Sequence, residues 1–559
     1  MMLSARNRLL LAIRHSAILR GENQRLVSPS GRANEWLIDM RRVFMDARML
    51  DAAAELFWTM FADKGPFQVG GMEVASIPLV SAILMKSLAR GAPVNGFIIR
   101  KERKTYGAGG LIEGVLNDLP IVIVDDVVNS ASSLEKVRVV LEALGRGFES
   151  VFVLVDYKSE RGMAWRDRHS IEVAAPFTLK DFDLKLKPAH RQGPRTPNLE
   201  EIWSFAPPDP NFFHRVPKSF PATDDERVYF GSDCGLFYAL DARDGSVAWS
   251  FQVHSQGHKN IWSSPTVHEG RVYFGAYDGN VYCLDCKTGE EVWRFGGADW
   301  VGSSPALAPE LGLLFIGLEF AVEGRRGSIV ALDLQTGEKV WEHLTKRYTH
   351  ASPAYSPARQ LVACGSNDDE MFLFDAKTGT RLWRFQTRGQ SGKGSIRHAP
   401  AFDETRGQLV TGCADGVIYV IDLETGKEVW SVQTEGTIYT VPLVVGDLAF
   451  VGSTDKHLYI LNLKEQRLHN KVHIGSKIYG PPRLLNGRVH FGACDGRLYE
   501  MSIQGNEITG YTQFPDAITN APCYSEALDL LFISTYVNQT FALKPLPSAP
   551  QTKASEFAA

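Results

Sequence analysis

Three things are scarce in this chain of 559 residues: cysteine in its first part, long apolar runs, and an excess of charge of one sign. All seven cysteines follow residue 230, and an odd number spread through strand-like segments predicts reduced, buried thiols. No apolar run approaches the ~18 residues of a spanning helix, so we expect no membrane association. A formal net charge of −4 favours no polyanion, so we expect no nucleic-acid partner.

Two local features could suggest export or metal chemistry, and both have a simpler interpretation. The apolar stretch Leu9–Ile13 is short and is stopped by Arg14, which indicates a first amphipathic helix rather than a secretion signal. We therefore predict a cytoplasmic protein. Cys283 and Cys286 form a C-x-x-C pair without a second Cys/His pair nearby, so core packing is favoured over a zinc site, which needs four ligands.

The length predicts at least two domains. Residues 1–183 alternate helical stretches with short apolar β-branched runs such as Ile121–Val124, which predicts an α/β domain with a parallel sheet. Residues 184–198 contain three prolines and five basic side chains and form the predicted linker. Residues 547–559 form a predicted disordered tail.

Residues 199–546 repeat a unit of about 42 residues, which predicts a β-propeller with four short antiparallel strands per blade. Seven units have a strand glycine, which Ser534 replaces in an eighth copy; four of the units then carry a Thr-Gly turn and five end in a tryptophan. The first seven glycines are Gly231, Gly275, Gly317, Gly365, Gly412, Gly452 and Gly492. The eighth copy lacks its outer strand, so we expect Ile202–Phe205 to supply it and to remove an open sheet edge.

This repeat resembles the propeller of quinone-dependent dehydrogenases and of an outer-membrane assembly lipoprotein, and the resemblance is specific for the fold alone. We do not expect pyrroloquinoline quinone as a cofactor, because such enzymes are exported and the chain has no adjacent cysteines of the kind they use.

The first domain carries its chemistry after the strand Ile121–Val124. Asp125 and Asp126 come at the strand end, and small hydroxyl residues then open a helix. Such a loop can hold a phosphate with backbone N–H groups, while paired carboxylates suit ribose hydroxyls or Mg²⁺. A plain strand end with a helix cap is the alternative. The loop residues are Asn129, Ser130, Ala131, Ser132 and Ser133.

These residues resemble the phosphoribosyl-pyrophosphate motif of type I phosphoribosyltransferases. Upstream, the basic segment from Arg100 to Gly110 is similar to the mobile catalytic loop of orotate phosphoribosyltransferases. The resemblance implies that Arg100, Lys101 and Lys104 neutralise the leaving pyrophosphate, with Tyr106 also contacting the substrate. A solvated surface loop is the alternative interpretation of so many basic residues.

Further segments match the same family in order: Ser30–Arg32, Ile38–Arg41 and the second phosphate-binding loop Gly71–Pro78. The chain departs from the family at four positions: the loop glycine is Ala131, the loop histidine is Tyr106, and the two cations that recognise orotate are Pro29 and Tyr157. We therefore predict an acceptor base other than orotate.

Propellers usually bind ligands at the mouth of the central channel. The residue three positions before the proline that begins each blade should lie on one rim, and aromatic and basic side chains there suit a nucleotide or an acidic peptide. Ordinary loop variation is the alternative. The eight positions are Lys218, Trp262, Gly302, His350, Arg397, Tyr439, Tyr479 and Thr519.

Two functions from different classes follow. The first is an enzyme that transfers a phosphoribosyl group from phosphoribosyl pyrophosphate to a nitrogenous base with Mg²⁺, in which Lys104, Asp125 and Asp126 are catalytic and the propeller binds a ligand or protein partner. The second is a sensor that binds phosphoribosyl pyrophosphate or a nucleotide without turnover and acts as an interaction scaffold. The resemblance also implies a homodimer formed through the first domain.

Overall fold

The structure, a computed structural model, describes residues 4–20, 26–27, 33–100, 111–186, 199–207, 219–254, 261–321, 326–389 and 394–545. The chain divides into two compact units, one formed mainly by residues up to 189 and the other mainly by residues from 215 onwards.

The first unit alternates helices and strands, as the sequence predicts. Its helices are α1 Ala5–Ala12, α2 Arg41–Phe44, α3 Ala47–Phe61, α4 Ser76–Ala89, α5 Ser132–Ala143 and α6 Glu160–His169, with a π-helical turn Ile13–Ala17 and a 3₁₀ turn Leu179–Phe182. Its strands are β1 Ile18–Arg20, β2 Leu26–Val27, β3 Ala33–Asn34, β4 Trp36–Ile38, β5 Gln68–Met72, β6 Asn95–Ile99, β7 Ile112–Gly114, β8 Ile121–Val128, β9 Ser150–Asp156, β10 Glu172–Ala174 and β11 Phe177–Thr178.

One sheet organises this unit, in the order β10-β9-β8-β5-β6-β7, and β11 extends the pairing along β9. All neighbours are parallel except β7, which runs antiparallel to β6. The helices bury apolar faces on the sheet, and on α3 the rings of Phe57 and Phe61 stack 4.8 Å apart over Phe152 of β9. The predicted α/β fold with a parallel sheet is confirmed.

The second unit is an all-β propeller of eight four-stranded antiparallel sheets, which confirms the predicted blade number. The strands are Ala222–Thr223, Arg227–Gly231, Leu236–Asp241 and Val247–Gln252 in blade 1; Thr266–His268, Arg271–Gly275, Val281–Asp285 and Glu291–Phe295 in blade 2; Ala306–Ala308, Leu313–Phe320, Arg326–Asp333 and Lys339–Thr345 in blade 3; Ala354–Ser356, Leu361–Gly365, Glu370–Asp375 and Arg381–Gln386 in blade 4; Ala401–Asp403, Gln408–Gly412, Val417–Asp422 and Glu428–Gln433 in blade 5; Leu443–Val445, Leu448–Gly452, His457–Asn462 and Arg467–His473 in blade 6; Arg483–Leu485, Arg488–Gly492, Arg497–Ser502 and Ile508–Gln513 in blade 7; Cys523–Ser525, Leu530–Ser534, Thr540–Pro545 and Leu199–Phe205 in blade 8.

The ring is closed by two segments far apart in the sequence. Leu199–Phe205 pairs antiparallel with Thr540–Pro545, so that Phe205 lies opposite Thr540 and Trp203 opposite Ala542. This confirms the prediction that Ile202–Phe205 supplies the missing outer strand. The pairing satisfies backbone groups that an open edge would leave for another chain.

The repeated tryptophan and the repeated Thr-Gly turn have one shared role. The indole Nε1 of Trp249 donates to the carbonyl of Cys286 at 2.9 Å, and the ring lies against Gly289 of the next blade. Trp203, Trp293, Trp341 and Trp383 make the equivalent bond to the following blade. The indole nitrogen of Trp430 is buried without a hydrogen-bond partner in the described chain.

All seven cysteines are free thiols. Burial raises the pKa of Cys283 to about 12 and that of Cys286 to about 11, so both stay protonated at neutral pH. Across the described ranges, no group of three His, Cys, Asp or Glu is arranged to hold a metal ion. No helix in the described part of the chain has the length and apolar character needed to cross a bilayer.

Candidate active site

Four neighbouring strands of the first unit end at the same edge of the sheet. The carboxyl end of β6 leads into Arg100, that of β5 into the loop after Met72, that of β8 carries Asp125 and Asp126, and that of β9 leads into Tyr157. In an open α/β sheet, ligands bind outside the carboxyl ends of the strands. The structure thus brings together four segments that the sequence singled out separately.

The paired carboxylates lie on a strand that is longer than its apolar run. β8 continues to Val128 because Asp125, Val127 and Val128 keep the parallel register with β9. The Asp125 carboxylate accepts the N–H of Asp126 at 2.9 Å, and the Asp126 carboxylate accepts the N–H of Val127 at 2.8 Å. These bonds fix both side chains at the sheet edge.

Burial raises the pKa of Asp126, although its hydrogen bonds with Asp125 and Val127 act in the opposite direction. Asp39 adds a like charge that raises it further. Asp39 itself is held by Arg41, whose Nε and Nη2 donate at 2.8 and 3.0 Å, and this pairing lowers the pKa of Asp39. The Asp39–Arg41 segment of the sequence prediction therefore belongs to the electrostatic surroundings of the paired acids.

The loop after β8 opens helix α5 without a side-chain cap. Ala131 adopts the left-handed conformation, with φ 60° and ψ 15°, directly before Ser132 begins the helix. Ser130 Oγ and Ser132 Oγ lie 3.2 Å apart, and Ser159 Oγ anchors the loop by donating to the Asn129 carbonyl at 2.6 Å. The first N–H groups of a helix lack intrahelical partners, so this loop can offer them to a phosphate.

The second predicted phosphate loop lies beside these acids. A Cβ at Gly71 would come within 2.5 Å of Ser76 and 2.7 Å of the Val124 carbonyl, so the loop approaches β8 too closely for a side chain. Ser76 Oγ donates to the Met72 carbonyl at 2.5 Å, and the Glu73–Val74 peptide bond is cis.

The basic segment is only partly within the described residues. Arg100 forms an ion pair with Glu113 on the adjacent β7 at 3.0 Å, a contact that the sequence analysis missed. Lys101, Lys104 and Tyr106 lie outside the described residues, as do Pro29 and Ser30–Arg32.

An aromatic pair, Tyr157 and Trp36, lies beside the acids. The Tyr157 and Trp36 ring centroids are 5.7 Å apart, and burial, with the nearby Asp126 charge, raises the pKa of Tyr157. Trp36 was missed by the sequence analysis, although it lies only two positions before the matched segment Ile38–Arg41. Asp156, next to Tyr157, is buried and bound by both terminal nitrogens of Arg166 at 2.7 and 2.9 Å.

In the propeller, six of the eight predicted rim positions follow an equivalent backbone hydrogen bond. At these six positions the preceding residue donates its N–H to the carbonyl just after an inner strand of the preceding blade, as Ile261 does to Ser232 and Val301 to Ala276. Ile396, Ile438, Ile478 and Ile518 repeat this bond before Arg397, Tyr439, Tyr479 and Thr519. The Tyr439 and Tyr479 rings are 5.6 Å apart, and Lys218 lies outside the described residues.

Comparison with known proteins separates the two units. An orotate phosphoribosyltransferase of Bradyrhizobium sp. (strain BTAi1) is 33% identical over 158 residues, 27% of this chain and 84% of that protein. Another, from Sorangium cellulosum, is 30% identical over 186 residues, 32% of this chain and 93% of that protein. Their shared length corresponds to the first unit.

The profile of the outer membrane protein assembly factor BamB matches residues 197–363 and 367–476. The crystal structure of BamB from Moraxella catarrhalis superposes with a TM-score of 0.50 at 18% identity, over 62% of this chain and 99% of that one. A europium-containing methanol dehydrogenase gives 0.51 at 13% identity, over 60% and 85%. These likenesses establish the fold of the second unit. By its first unit, the chain belongs to the orotate phosphoribosyltransferase family, and it joins that domain to an eight-bladed propeller of the BamB and quinoprotein type.

Proposed function

We propose that the first domain transfers a phosphoribosyl group from phosphoribosyl pyrophosphate to a nitrogenous base other than orotate, with Mg²⁺ and release of pyrophosphate. The observation that carries this proposal is the meeting of paired carboxylates, an uncapped helix start and a cation at the ends of β8, β5 and β6. Membership of a phosphoribosyltransferase family supports phosphoribosyl transfer in general.

The described donor set fits a magnesium ion that is carried largely by the substrate. Asp125 and Asp126 offer oxygen ligands, which Mg²⁺ prefers, and this ion usually keeps only one or two protein carboxylates together with substrate phosphates. When bound, Mg²⁺ neutralises the charge of the pyrophosphate.

The residues of the chain position and stabilise the reacting sugar. The carboxylates of Asp125 and Asp126 accept from the ribose hydroxyls and oppose the positive charge that develops on the sugar ring. The Asn129–Ser133 loop holds the 5′-phosphate through backbone N–H groups and hydroxyls. Arg100, with Lys101 and Lys104, stabilises the negative charge that develops on pyrophosphate as the bond to the sugar breaks.

The acceptor is a base without a carboxylate. Tyr157 is buried, uncharged and next to Trp36. The two rings therefore offer an aromatic surface to a planar base but no positive charge to an acid. A carboxylate placed there would also face Asp126, and an unpaired buried charge is strongly unfavourable.

Pyrophosphate release from phosphoribosyl pyrophosphate, measured with Mg²⁺ against a panel of purine and pyrimidine bases, tests this proposal. We expect release with at least one uncharged base and little with orotate. Asp126→Asn should lower the rate by about a hundredfold or more, as loss of an electrostatic stabiliser does. Asp118→Asn is the matched control, because Asp118 is fully exposed and pairs only loosely, at 3.3 Å, with Arg146.

A sensor without turnover is the second candidate, and the left-handed Ala131 favours it. The Cβ of Ala131 stands at a position where the family has glycine and where the backbone must approach phosphate. Binding of phosphoribosyl pyrophosphate by calorimetry, with no pyrophosphate release for any base, would support sensing over catalysis. Absence of both binding and release would contradict both functions.

We further propose a homodimer through the first domain, located in the cytoplasm. Helix α4 exposes Ile77, Met85 and Leu88 at helical spacing, a face that a second copy could cover. The free thiols fit a reducing compartment. Sedimentation analysis of Met85→Glu with Leu88→Glu should show monomers where the unmodified chain shows dimers; an unchanged sedimentation would contradict this interface.

A further inference from the structure

Four half-buried aromatic side chains lie in sequence along one part of the propeller rim. The Trp262 ring centroid is 4.4 Å from that of Tyr277, Tyr277 is 6.3 Å from Trp300, and Trp300 is 6.0 Å from Tyr348. We call these four residues the aromatic rim sector. They come from the hairpin turn of blade 2 and from the connections into blades 2, 3 and 4, which open at the same end of antiparallel blades.

A polar chain lies behind this sector. His350 places Nδ1 2.8 Å from the Glu319 carboxylate and Nε2 3.2 Å from the Tyr277 hydroxyl. Glu319 is buried, with 2% of its surface exposed. A Cβ at Gly302 would lie 2.9 Å from the Tyr277 hydroxyl, so the backbone of the neighbouring connection closes over this group. The contacts hold Tyr277 and His350 in one arrangement.

Two basic side chains, His350 and Arg397, lie beside the sector on different connections. Burial lowers the pKa of His350, but the adjacent Glu319 carboxylate outweighs that effect and raises it overall. Arg397, which is exposed and whose Nε donates to Ser395 at 3.2 Å, acts electrostatically on both His350 and Tyr277. Arg397 therefore lies near the aromatic surface, and no ion pair to it is found within the described residues.

We propose that the aromatic rim sector binds a nucleoside monophosphate, with the base stacked on its exposed rings and the phosphate bound by Arg397. Aromatic faces bind every nucleobase by stacking, and a guanidinium matches the geometry of a phosphate. Beyond this single anionic group the sector is unfavourable for negative charge, because Glu319 is buried there and Asp233 accepts from Trp262 Nε1 at 3.3 Å. One compact anion on a planar ring thus fits better than an acidic peptide.

This site is argued from the propeller alone and does not depend on the transfer reaction of the first domain. Calorimetric titration of the full chain with adenosine and uridine 5′-monophosphates tests it, with the parent nucleosides and inorganic phosphate as comparisons. We expect Arg397→Gln and Trp262→Ala each to weaken binding by about tenfold or more, which corresponds to about 1.4 kcal/mol. Arg381→Gln, on the outer strand of blade 4, is the charge-matched control and should bind as the unmodified chain does.

The outcomes separate this site from the first domain. Asp126→Asn should lower the rate of pyrophosphate release by about a hundredfold or more and leave the Arg397-dependent binding unchanged. Because Trp262→Ala could disturb folding, Arg397→Gln, at an exposed position, is the deciding variant. Phosphoribosyl transfer yields a nucleoside monophosphate, so the first domain is expected to bind these ligands as well, and the rim site is the part of the binding that Arg397→Gln removes. Equal binding stoichiometry and affinity in Arg397→Gln and the unmodified chain, an absence of binding for all monophosphates, or tighter binding of poly-glutamate than of any monophosphate would overturn the proposal.

Discussion

A matched pair of glycine substitutions in blade 2 tests the packing that joins neighbouring blades. Gly289 and Gly270 have nearly the same backbone conformation, with φ +75° and +74°. A Cβ at Gly289 would lie 2.6 Å from Cδ2 of Trp249 and 2.7 Å from Cε3, whereas a Cβ at Gly270 would meet nothing within 4 Å. Alanine at either position has the same left-handed strain, but only Gly289→Ala also collides with a ring.

The expected free energies follow from this geometry. An L-residue in the left-handed region costs about 1 kcal/mol, and this is the whole effect expected for Gly270→Ala. Trp249 cannot retreat freely, because its Nε1 donates to the Cys286 carbonyl at 2.9 Å. Overpacking of this kind costs about 1–3 kcal/mol. The total for Gly289→Ala is therefore about 2–4 kcal/mol.

Urea unfolding followed by tryptophan fluorescence, together with scanning calorimetry to separate the transitions of the two units, measures both variants. We expect Gly289→Ala to lower the free energy of unfolding of the propeller by about 1–3 kcal/mol more than Gly270→Ala does. Equal losses for the two variants would refute the reasoning, because they would mean that the indole moves aside at no cost.

Three other predictions address the site and the ring. Asp126→Asn should stabilise the chain against urea at pH 8 and much less at pH 3, below the ordinary pKa of an aspartate, because a buried carboxyl with a raised pKa loses folded-state stability as pH rises from its unfolded pKa through its folded pKa; a larger gain at pH 3 would contradict this sign. Ala131→Gly relieves about 1 kcal/mol of left-handed strain and should tighten phosphoribosyl pyrophosphate binding in calorimetry, and weaker binding would exclude close approach of phosphate there. Trp203→Ala should cost the propeller about 3–5 kcal/mol of unfolding free energy, whereas its exposed neighbour Ile202→Ala should cost little; similar losses would show that burial at the closing strand is unimportant.

The sequence predicts the propeller well, because most blades repeat the same local signals. The Thr-Gly turns, the strand glycines and the outer-strand tryptophans recur about every 40–48 residues, and the incomplete eighth copy indicates that Ile202–Phe205 closes the ring. The repeat did not indicate that Trp430 would differ from the other tryptophans. The corresponding turn in blade 6 carries Gln466, at φ 52°, in place of glycine, and the indole nitrogen of Trp430 has no hydrogen-bond partner among the described residues.

The candidate site is predicted in part. Asp125 and Asp126 follow the apolar run of β8 directly, and Ala131 comes just before helix α5. Their place at the sheet edge can therefore be read from the local sequence pattern. The Arg100–Glu113 pair and the Trp36–Tyr157 contact join segments whose proximity depends on the sheet order, which the sequence pattern does not contain. The length of β8 was underestimated for a similar reason. Its register with β9 continues through acidic residues that apolar periodicity excludes.

The same limit applies to the propeller rim. The position three residues before the first proline of each blade identifies Trp262, His350 and Arg397. The same rule does not identify Glu319, which lies on an inner strand, or Tyr277, which lies in a hairpin turn. Their importance depends on contacts between blades, and only the three-dimensional arrangement shows these contacts.

The pairing of Leu199–Phe205 with Thr540–Pro545 has a consequence for biosynthesis. On the ribosome, the first of these segments emerges long before its partner, so the nascent propeller stays open until Thr540–Pro545 has been translated. Domains generally fold in order of synthesis, so the transferase-type domain can be complete by then. A message that is cut or stopped before codon 540 would yield a product with an unpaired final sheet, which proteases can distinguish from a closed ring.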